Sequence, residues 1–267
     1  RKTLESLNIV VHESYLSRRY NVFKDIIGII NFIRILIIVR PDIVHAISNK
    51  NILIVSLFGR LIGIKKIVLA ISGFGHLFIK KNVFNLIFKY ILKNILSLSL
   101  RNNNSTIIVQ NSDDKKYIKF FSSNKSEDTN IVLIPGSGVD IRYFKPQVNS
   151  SKIIEVSLVA RMIYEKGVRE FVEAARILKK RYKHIKFILY GKTDEGNPSS
   201  IPKKILNQWN IEGAIEWRGF EIDKLSIYRN SQIIVLPSYR EGMPKTILEA
   251  AACGLPAIVT NVPGCRE

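Results

Sequence analysis

The sequence of residues 232–260 is QIIVLPSYREGMPKTILEAAACGLPAIVT. It contains a short apolar run at 232–236, a polar loop, a helical pattern at 244–253 and a second apolar run at 256–260. A continuous apolar run is typical of a strand that is covered on both faces, and a helix between two such strands is typical of a parallel sheet. This segment therefore predicts a strand–helix–strand unit of an open α/β fold.

The same alternation extends over the rest of the second half of the chain. It predicts further strands at 153–160, 185–190 and 214–218 and helices at 167–182, 201–209 and 223–230. In the helix predicted at 167–182, the apolar positions recur every three or four residues and are Val168, Phe171, Val172, Ala175 and Leu178. The second half is therefore predicted to form one doubly wound domain.

The first half shows the same pattern. Strands are predicted at 42–47, 66–71, 106–109 and 131–134, and helices at 22–39, 50–61, 83–100 and 112–121. A cluster of turn-forming residues then covers 135–151, so we place a domain boundary there. The sequence thus predicts an α/β protein with two doubly wound, Rossmann-like domains, one at 1–150 and one at 151–267.

Length and composition support two cores. The chain has 267 residues, of which 46% are hydrophobic, and this is enough to fill two cores of ordinary size. The longest apolar runs, at 26–39 and 84–100, are interrupted by Asn, Lys or Arg, so no membrane-spanning helix is predicted. Because the chain starts with Arg1 and ends inside a strand-to-helix turn at Glu267, we expect it to be truncated at both ends.

The two cysteines, Cys253 and Cys265, have neither metal-ligand spacing nor the numbers of a disulfide framework. A reducing, cytoplasmic location is therefore expected.

Positive charge is concentrated in the first half. The chain carries 41 Lys and Arg against 22 Asp and Glu, a net charge of +19. Residues 1–150 hold 22 basic and 9 acidic side chains, whereas residues 151–267 hold 19 and 13. No zinc pairs, aromatic RNA-binding strand or basic zipper accompanies this charge, so nucleic acid is not the predicted partner. An anionic membrane surface fits the pattern better, with the first half facing it.

The helix predicted at 83–100 bears on this membrane hypothesis. Its basic stripe, which repeats every four residues, consists of Lys89, Lys93, Ser97 and Arg101. A helix of this kind can lie in a membrane interface with its cationic edge on the lipid headgroups. The alternative is a buried helix with one solvated edge, which periodicity alone favours.

Polar loops follow two strands of the second half, where open parallel sheets bind their ligands. After the strand at 153–160 come Arg161 and Lys166, placed just before the next helix. Two cations near a helix N-terminus can bind a diphosphate, because the free amides and the helix dipole add to the attraction. The alternative is an ordinary charged helix start.

The loop after the strand at 232–236 contains Glu241 and Gly242, and the helix that follows contains Glu249. Glycine permits a close approach of the backbone to a ligand, and carboxylates accept hydrogen bonds from sugar hydroxyls. Since the two glutamates are separated by seven residues, one can lie at the helix entrance and the other along the helix. Without the neighbouring cations, a solvated helix face would be the simpler interpretation.

Residues 238–256, which continue to Glu267, resemble the Glu-x7-Glu signature of the family four retaining glycosyltransferases. Residues 160–175 are similar to the phosphate loop and following helix of that family, and residues 136–146 to its interdomain segment. The resemblance implies the GT-B fold, with two Rossmann-like domains. Residues 72–78 further resemble the acceptor loop of bacterial members that extend undecaprenyl-diphosphate-linked sugars.

This resemblance implies roles for individual residues. Arg161 and Lys166 match the cations that bind the donor diphosphate, Glu241 the carboxylate on the donor sugar, and Glu249 the carboxylate on the ribose. Family members need neither a metal nor a cofactor, and their donor is typically a UDP-linked sugar. The remaining donor-site candidates are Gly191, Gly219, Gly242 and Met243.

The implied reaction is transfer of a hexosyl or N-acetylhexosaminyl group to a lipid-linked saccharide, with retained anomeric configuration, at the inner face of the bacterial inner membrane. A histidine near the reacting sugar of many relatives has no clear match, because Ser72 or a neighbour lies at that position and His76 lies further along. Two alternatives stay open: a nucleotide-sugar 2-epimerase on the same fold, and a non-catalytic donor-binding fragment.

Overall fold

The computed structural model describes residues 4, 6–16, 22–74, 83–100, 104–121, 130–147 and 153–267. The chain divides into two compact units. The first comprises residues 1–71, 90–108 and 119–131, and the second comprises residues 72–89, 109–118 and 132–267. The boundary predicted near residue 150 stays a prediction.

Helices and strands alternate through the first sheet, as the sequence predicts. Its four strands lie in the order β1-β2-β3-β4, and β1 pairs with β2 in parallel, with Ile43 opposite Lys66. In β2 and β3 buried residues alternate with more exposed ones, so one face of each strand carries the packing. The elements are α1 Val22–Val39, β1 Ile43–Ile47, α2 Asn49–Phe58, β2 Lys66–Ile71, α3 Val83–Leu100, β3 Ser105–Val109, α4 Ser112–Phe121 and β4 Ile131–Leu133.

The second sheet is doubly wound. Its strand order is β7-β6-β5-β8-β9, and every pair is parallel. The chain therefore starts in the middle of the sheet, adds strands on one side, and then returns to add strands on the other side. The elements are β5 Ile154–Val159, α5 Val168–Lys179, β6 Ile185–Tyr190, α6 Lys203–Ile211, β7 Glu216–Gly219, α7 Lys224–Asn230, β8 Ile233–Leu236, α8 Lys245–Ala252 and β9 Ala257–Val259.

The strand order reverses between β5 and β8. In open parallel sheets, ligands bind in the crevice beyond the carboxyl ends of the strands at such a reversal. The two loops singled out in the sequence, after 153–160 and after 232–236, are the loops that follow β5 and β8. The topology therefore places them side by side.

The predicted apolar face of α5 is confirmed at four of its five positions. Val168, Phe171, Val172 and Ala175 are buried in one hydrophobic cluster with residues of β5 and β6, whereas Leu178 is 37% exposed. The ring centroids of Phe171 and Phe187 lie 5.7 Å apart in an edge-on arrangement. This packing fixes the start of α5, and with it the end of the loop after β5.

Most element bounds differ from the prediction by one to three residues, and two elements begin two residues later than predicted. Helix α6 begins at Lys203 rather than at 201, because proline disfavours a helical conformation of the residue before it and Pro202 follows Ile201. Strand β7 begins at Glu216 rather than at 214, since Ala214 and Ile215 are buried in the core before strand pairing starts.

The described side chains of α3 differ in their exposure. Lys89, Lys93 and Ser97 are only partly exposed, and Arg101 lies outside the described residues. Among the described side chains of α3, Asn94 is exposed, and the exposed large apolar ones are Val83, Leu86, Ile87, Tyr90, Ile91 and Leu98. The membrane-interface interpretation of this helix and its buried alternative therefore both stay predictions.

Helix α1 shows a similar exposed apolar stripe at a three-and-four spacing, formed by Phe23, Ile26, Ile27, Ile30, Ile37 and Ile38. Among the described residues, no helix has the length and hydropathy needed to span a bilayer.

Candidate active site

The loop after β5 is anchored at its centre. Met162 and Ile163 are buried and form isolated β-bridges to the segment 193–200. A single 3-10 turn, Tyr164–Lys166, then leads towards α5. The backbone around Arg161 and Lys166 is therefore held on both sides.

Gly167 joins this turn to α5 with a φ of 71°, in the left-handed region that favours glycine. A Cβ atom at this position would also collide with the carbonyl oxygen of Pro237. Both constraints require glycine, and the close approach brings the loop after β5 against the loop after β8. As a result, Lys166 Nζ donates a hydrogen bond to Glu241 Oε1 at 2.5 Å.

The Lys166–Glu241 ion pair is largely shielded from solvent. Its side chains are 21% and 12% exposed. The sequence assigned Lys166 to the diphosphate and Glu241 to the sugar, and the structure brings these two side chains into direct contact. Both assignments stay predictions, and the contact means that a ligand of one side chain would lie beside the other.

Arg161 forms a second and more exposed ion pair. Its guanidinium donates to Asp194 Oδ2 at 2.6 Å, and the two side chains are 62% and 28% exposed. The same carboxylate oxygen accepts from Asn197 Nδ2 at 3.0 Å, while the Asp194 amide donates to Ser200 Oγ at 3.0 Å. Asp194 is therefore a well-held acceptor in the loop after β6.

A cleft of about 240 Å³, here named the charged cleft, opens between these side chains. It is lined by three cations and two carboxylates together with small and polar residues, and the whole lining belongs to the second compact unit. Its volume and charge suit a diphosphate with part of a sugar. The lining residues are Ser72, Gly73, Arg161, Ile163, Glu165, Lys166, Asn197, Arg240, Glu241 and Gly242.

A second cleft of about 330 Å³, here named the strand-end cleft, lies at the carboxyl ends of β5 and β6. Arg161 also lines this cleft, so the two clefts share a cation. The Nζ of Lys192 lies 4.5 Å from the centroid of the Phe220 ring, which is 54% exposed. The other lining residues are Val159, Ala160, Tyr190, Gly191, Thr193, Asp194, Glu221, Lys224, Ile227 and Thr246.

Gly191 is required where it stands. Its φ is 149°, and a Cβ atom there would collide with the carbonyl oxygen of Ala160. Its amide donates to the carbonyl of Gly219 at 2.6 Å. Of the other predicted donor-site residues, Gly191 and Gly242 line the clefts, whereas Gly219 and Met243 lie outside both linings.

Glu249 is buried behind the strand-end cleft. It is 2% exposed, and its Oε2 accepts a hydrogen bond of 2.6 Å from the hydroxyl of Tyr228. Its other oxygen lies 3.5 Å from Nζ of Lys224, which lines the strand-end cleft. Burial and the neighbouring carboxylate raise the pKa of Tyr228. The expected contact between Glu249 and a ribose stays a prediction, since Glu249 itself does not line the strand-end cleft.

Several residues of the two clefts were not singled out in the sequence. Lys192 and Phe220 lie within two residues of the ends of β6 and β7, so the rule that ligands bind after strand ends could have identified them. Arg240 precedes Glu241 within the quoted loop, and Asp194 begins a turn that contains Asn197. Within the described residues, no group of three or more His, Cys, Asp or Glu side chains could hold a metal ion.

The predicted acceptor loop is described only in part. Ser72 and Gly73 line the charged cleft, whereas His76 lies outside the described residues.

Comparison with known proteins places the second half of the chain in a family. Residues 154–267 match the family model described as glycosyl transferases group 1. The chain is 30% identical over 210 residues to N,N'-diacetylbacillosaminyl-diphospho-undecaprenol alpha-1,3-N-acetylgalactosaminyltransferase of Campylobacter jejuni, covering 74% of this chain and 53% of that protein. It is 26% identical over 262 residues to UDP-Gal:alpha-D-GlcNAc-diphosphoundecaprenol alpha-1,3-galactosyltransferase of Escherichia coli, covering 93% of this chain and 65% of that protein.

The chain thus spans between half and two thirds of the length of these curated relatives. Among solved structures, HepE of Anabaena in complex with UDP and glucose superposes with a TM-score of 0.69 at 14% identity, covering 99% of this chain and 71% of that chain. This likeness concerns the fold. The sequence match and the fold agree with the expectation drawn from residues 238–267, and we conclude that residues 154–267 belong to the group 1 glycosyl transferases and that the chain has the GT-B fold.

Proposed function

We propose that the protein to which this chain belongs transfers a hexosyl or N-acetylhexosaminyl group from a UDP-linked sugar to a lipid-linked saccharide in bacterial glycan assembly. One observation carries the proposal. Arg161 lines both the strand-end cleft and the charged cleft, and the second cation, Lys166, lines the charged cleft with Glu241. A nucleoside in one cleft and a sugar in the other would place the connecting diphosphate at Arg161.

The strand-end cleft has the chemistry of a nucleoside site. The exposed ring of Phe220 offers a surface on which a base can stack, and Lys192 and Lys224 are cations beside it. Base–aromatic stacking contributes about 1–3 kcal/mol per base. Two of the relatives described above bear on the nucleotide: the galactosyltransferase is named for UDP-Gal, and HepE was solved with UDP.

In the proposed reaction, the bond between the anomeric carbon of the donor and the diphosphate oxygen breaks, and its electron pair stays on the diphosphate. A hydroxyl oxygen of the acceptor forms the new bond to the anomeric carbon and loses its proton. Arg161 and Lys166 stabilise the negative charge that grows on the departing diphosphate, and Glu241 accepts hydrogen bonds from the sugar hydroxyls. Retention of configuration is proposed on the family resemblance.

The names of the two curated relatives support an acceptor linked to undecaprenyl diphosphate. They give no support to the epimerase alternative. A direct test incubates the complete enzyme with UDP-galactose, UDP-N-acetylglucosamine and UDP-N-acetylgalactosamine, each with and without an undecaprenyl-diphosphate-linked saccharide, and detects products by mass spectrometry. Transfer that requires the lipid supports the proposal. An epimer formed without the lipid, or UDP binding without any transfer, would favour one of the two alternatives.

We also propose that the first half of the chain contacts an anionic membrane surface, which would place the enzyme at the inner face of the bacterial inner membrane. Residues 1–150 carry most of the net positive charge, and helices α1 and α3 each expose an apolar stripe. Apolar side chains that enter the headgroup region and cations that attract anionic lipid together give this mode of binding.

The test is sedimentation with vesicles of anionic or neutral lipid at low and high salt. Replacing Ile27 and Ile30 of α1 with Ser is expected to weaken binding to anionic vesicles, because both side chains are exposed. The matched control replaces Ile177 with Ser, an exposed residue of α5 in the second half of the chain. Equal binding to neutral and anionic vesicles would contradict the proposal.

A further inference from the structure

The start of helix α4 carries a buried polar network. Asn111 precedes the helix, and its side-chain oxygen accepts a hydrogen bond of 2.7 Å from the amide of Asp114. This is the bond that an N-cap residue makes to the first turn of a helix. Both Asn111 and Asp114 are 0% exposed.

The network extends to the loop after β8. The Asn111 amide nitrogen donates to Asp114 Oδ2 at 2.9 Å and to the carbonyl oxygen of Gly242 at 2.9 Å. The other oxygen of Asp114 forms an ion pair with the guanidinium of Arg240, whose side chain is 14% exposed. Arg240 and Gly242, on the two sides of Glu241, are therefore held by Asp114 and Asn111 at the start of α4. All of these residues belong to the second compact unit.

The surroundings give this network little freedom. Burial raises the pKa of Asp114, while the charge of Arg240 and the hydrogen bonds from Arg240 and Asn111 oppose that rise and favour the carboxylate. A Cβ atom on Gly242 would collide with the carbonyl oxygen of Ser72, so the backbone is also closely packed at this point. A buried ion pair with further hydrogen bonds restricts the geometry of the groups that it joins.

We propose that Arg240, Asp114 and Asn111 form a positioning network that fixes the carboxylate of Glu241 in the charged cleft, and that this network controls the rate of transfer rather than the affinity for the nucleotide. The proposal rests on the proposed function, because it concerns the same reaction. Arg240 and Asp114 act through Glu241 and are positioning residues. None of the three lines the strand-end cleft, and of the three only Arg240 lines the charged cleft, so the affinity for UDP is expected to change little when they are replaced.

The loop has other supports, so the network can be removed without removing the loop. The amide of Glu241 donates to the carbonyl of Pro263 at 3.1 Å, and Ser112 at the start of α4 is bonded through its amide to Glu267 Oε1 at 3.0 Å. Loss of the Arg240 ion pair is therefore expected to shift Glu241 rather than to unfold the second unit.

The experiment compares Arg240→Met, Arg240→Lys and Asp114→Asn with a matched control, Arg266→Met. Arg266 lies 3.7 Å from Asp113 at the same helix start, but it is 44% exposed and does not hold the Glu241 segment. For each variant of the complete enzyme, kcat and KM are measured with UDP-N-acetylgalactosamine or whichever UDP-sugar the wild type transfers. The affinity for UDP and the melting temperature are measured beside them.

We expect kcat to fall about tenfold to a hundredfold for Arg240→Met and Asp114→Asn, since displacing a reacting group by about 1 Å can have an effect of that size. Affinity for UDP is expected to stay within about twofold of the wild type, because none of the three residues lines the strand-end cleft. A factor of two corresponds to only about 0.4 kcal/mol. Arg240→Lys, which keeps the charge but not the planar fork, is expected to recover part of kcat. The Arg266→Met control is expected to match the wild type.

Amide hydrogen exchange separates positioning from general loss of structure. The network predicts faster exchange confined to residues 238–244, whereas a merely structural role would raise exchange throughout β5 and β6 as well. Unchanged kcat in both Arg240→Met and Asp114→Asn overturns the proposal, as does a loss of UDP affinity that parallels the loss of kcat. A wild-type enzyme that binds UDP but transfers no sugar contradicts the proposed function. In that case the exchange pattern alone shows whether the network holds residues 238–244 in place.

Discussion

The two ion pairs of the candidate site, Lys166–Glu241 and Arg161–Asp194, join the same kinds of group in different surroundings. The first is shielded, with side chains 21% and 12% exposed, whereas the Arg161 side chain of the second is 62% exposed. An exposed ion pair contributes roughly 0–1 kcal/mol, but removing one partner of a buried pair commonly costs about 3–5 kcal/mol. Arg161 can therefore leave Asp194 readily to meet a phosphate, while Lys166 and Glu241 act as a unit.

The largest effect is expected from Lys166→Ala. This change removes a fixed cation from the charged cleft and leaves the shielded Glu241 carboxylate without its ion-pair partner. Loss of one fixed electrostatic partner commonly lowers a rate about 100- to 1,000-fold. We expect kcat/KM for transfer to fall in this range and the melting temperature to fall as well. The matched variant Lys166→Arg keeps the charge and separates the two effects, and near-normal turnover of Lys166→Ala would refute the assigned role.

Arg161→Ala is expected to lower transfer by about 100-fold, again through loss of a fixed cation beside the departing diphosphate. The melting temperature is expected to stay unchanged, because the ion pair that it breaks is exposed. Unlike Lys166, Arg161 lines both clefts, so its loss is also expected to weaken UDP binding. Unchanged UDP affinity, measured by calorimetry, would show that Arg161 does not hold the diphosphate.

Glu241→Gln and Glu249→Gln are expected to fail in different ways. Glu249→Gln is expected to weaken the binding of both UDP and UDP-sugar, whereas Glu241→Gln is expected to weaken that of UDP-sugar alone, because free UDP has no sugar to contact. A charge-assisted hydrogen bond is worth about 1.5–3 kcal/mol, so each loss is expected to be about tenfold to a hundredfold.

Because Glu249 is buried and accepts a hydrogen bond from Tyr228, the variant Tyr228→Phe is the control for that pair. It removes the hydrogen bond and keeps the carboxylate. If Tyr228→Phe loses as much UDP affinity as Glu249→Gln, Glu249 supports the wall of the strand-end cleft and does not hold the ribose.

The smallest effect is expected from Asp194→Asn, which weakens the competition for Arg161. Because the pair is exposed and worth at most about 1 kcal/mol, UDP affinity is expected to rise by about two- to fivefold. Asn keeps the size of the side chain and one oxygen that can still accept hydrogen bonds from Asn197 and Arg161. A fall in UDP affinity would instead show that Asp194 orients Arg161 for the ligand.

Much of the fold could be predicted because apolar runs and helical periodicity are local signals. The strands at 66–71 and 185–190 and the helix at 22–39 have the predicted bounds. The late start of β7 depends on contacts beyond the segment, since Ala214 and Ile215 pack in the core ahead of it, whereas the late start of α6 has a local cause in Pro202. Two interpretations of α3 stayed open for a similar reason, since periodicity shows which residues share a face but not which face is covered.

The sequence could predict which loops form the site, but not which of their side chains pair. Arg161, Lys166 and Glu241 line the charged cleft because β5 and β8 are neighbours, and this follows from the doubly wound strand order. The pairing of Lys166 with Glu241 depends on the close approach at Gly167, which no local pattern encodes. The link from Asp114 to Arg240 joins residues 126 positions apart and required the folded structure.

The central claim is that the two clefts together bind a nucleoside diphosphate through Arg161. The most direct measurement is a calorimetric titration of residues 1–267 with uridine, UMP and UDP. Each added phosphate that meets a fixed cation is expected to raise affinity by about tenfold to a hundredfold, since charge-assisted hydrogen bonds are worth about 1.5–3 kcal/mol. Affinity is therefore expected to increase in the order uridine, UMP, UDP in the wild type, and to increase much less steeply along this series in Arg161→Ala. Equal affinities in the wild type, or the same increase in Arg161→Ala, would contradict the account.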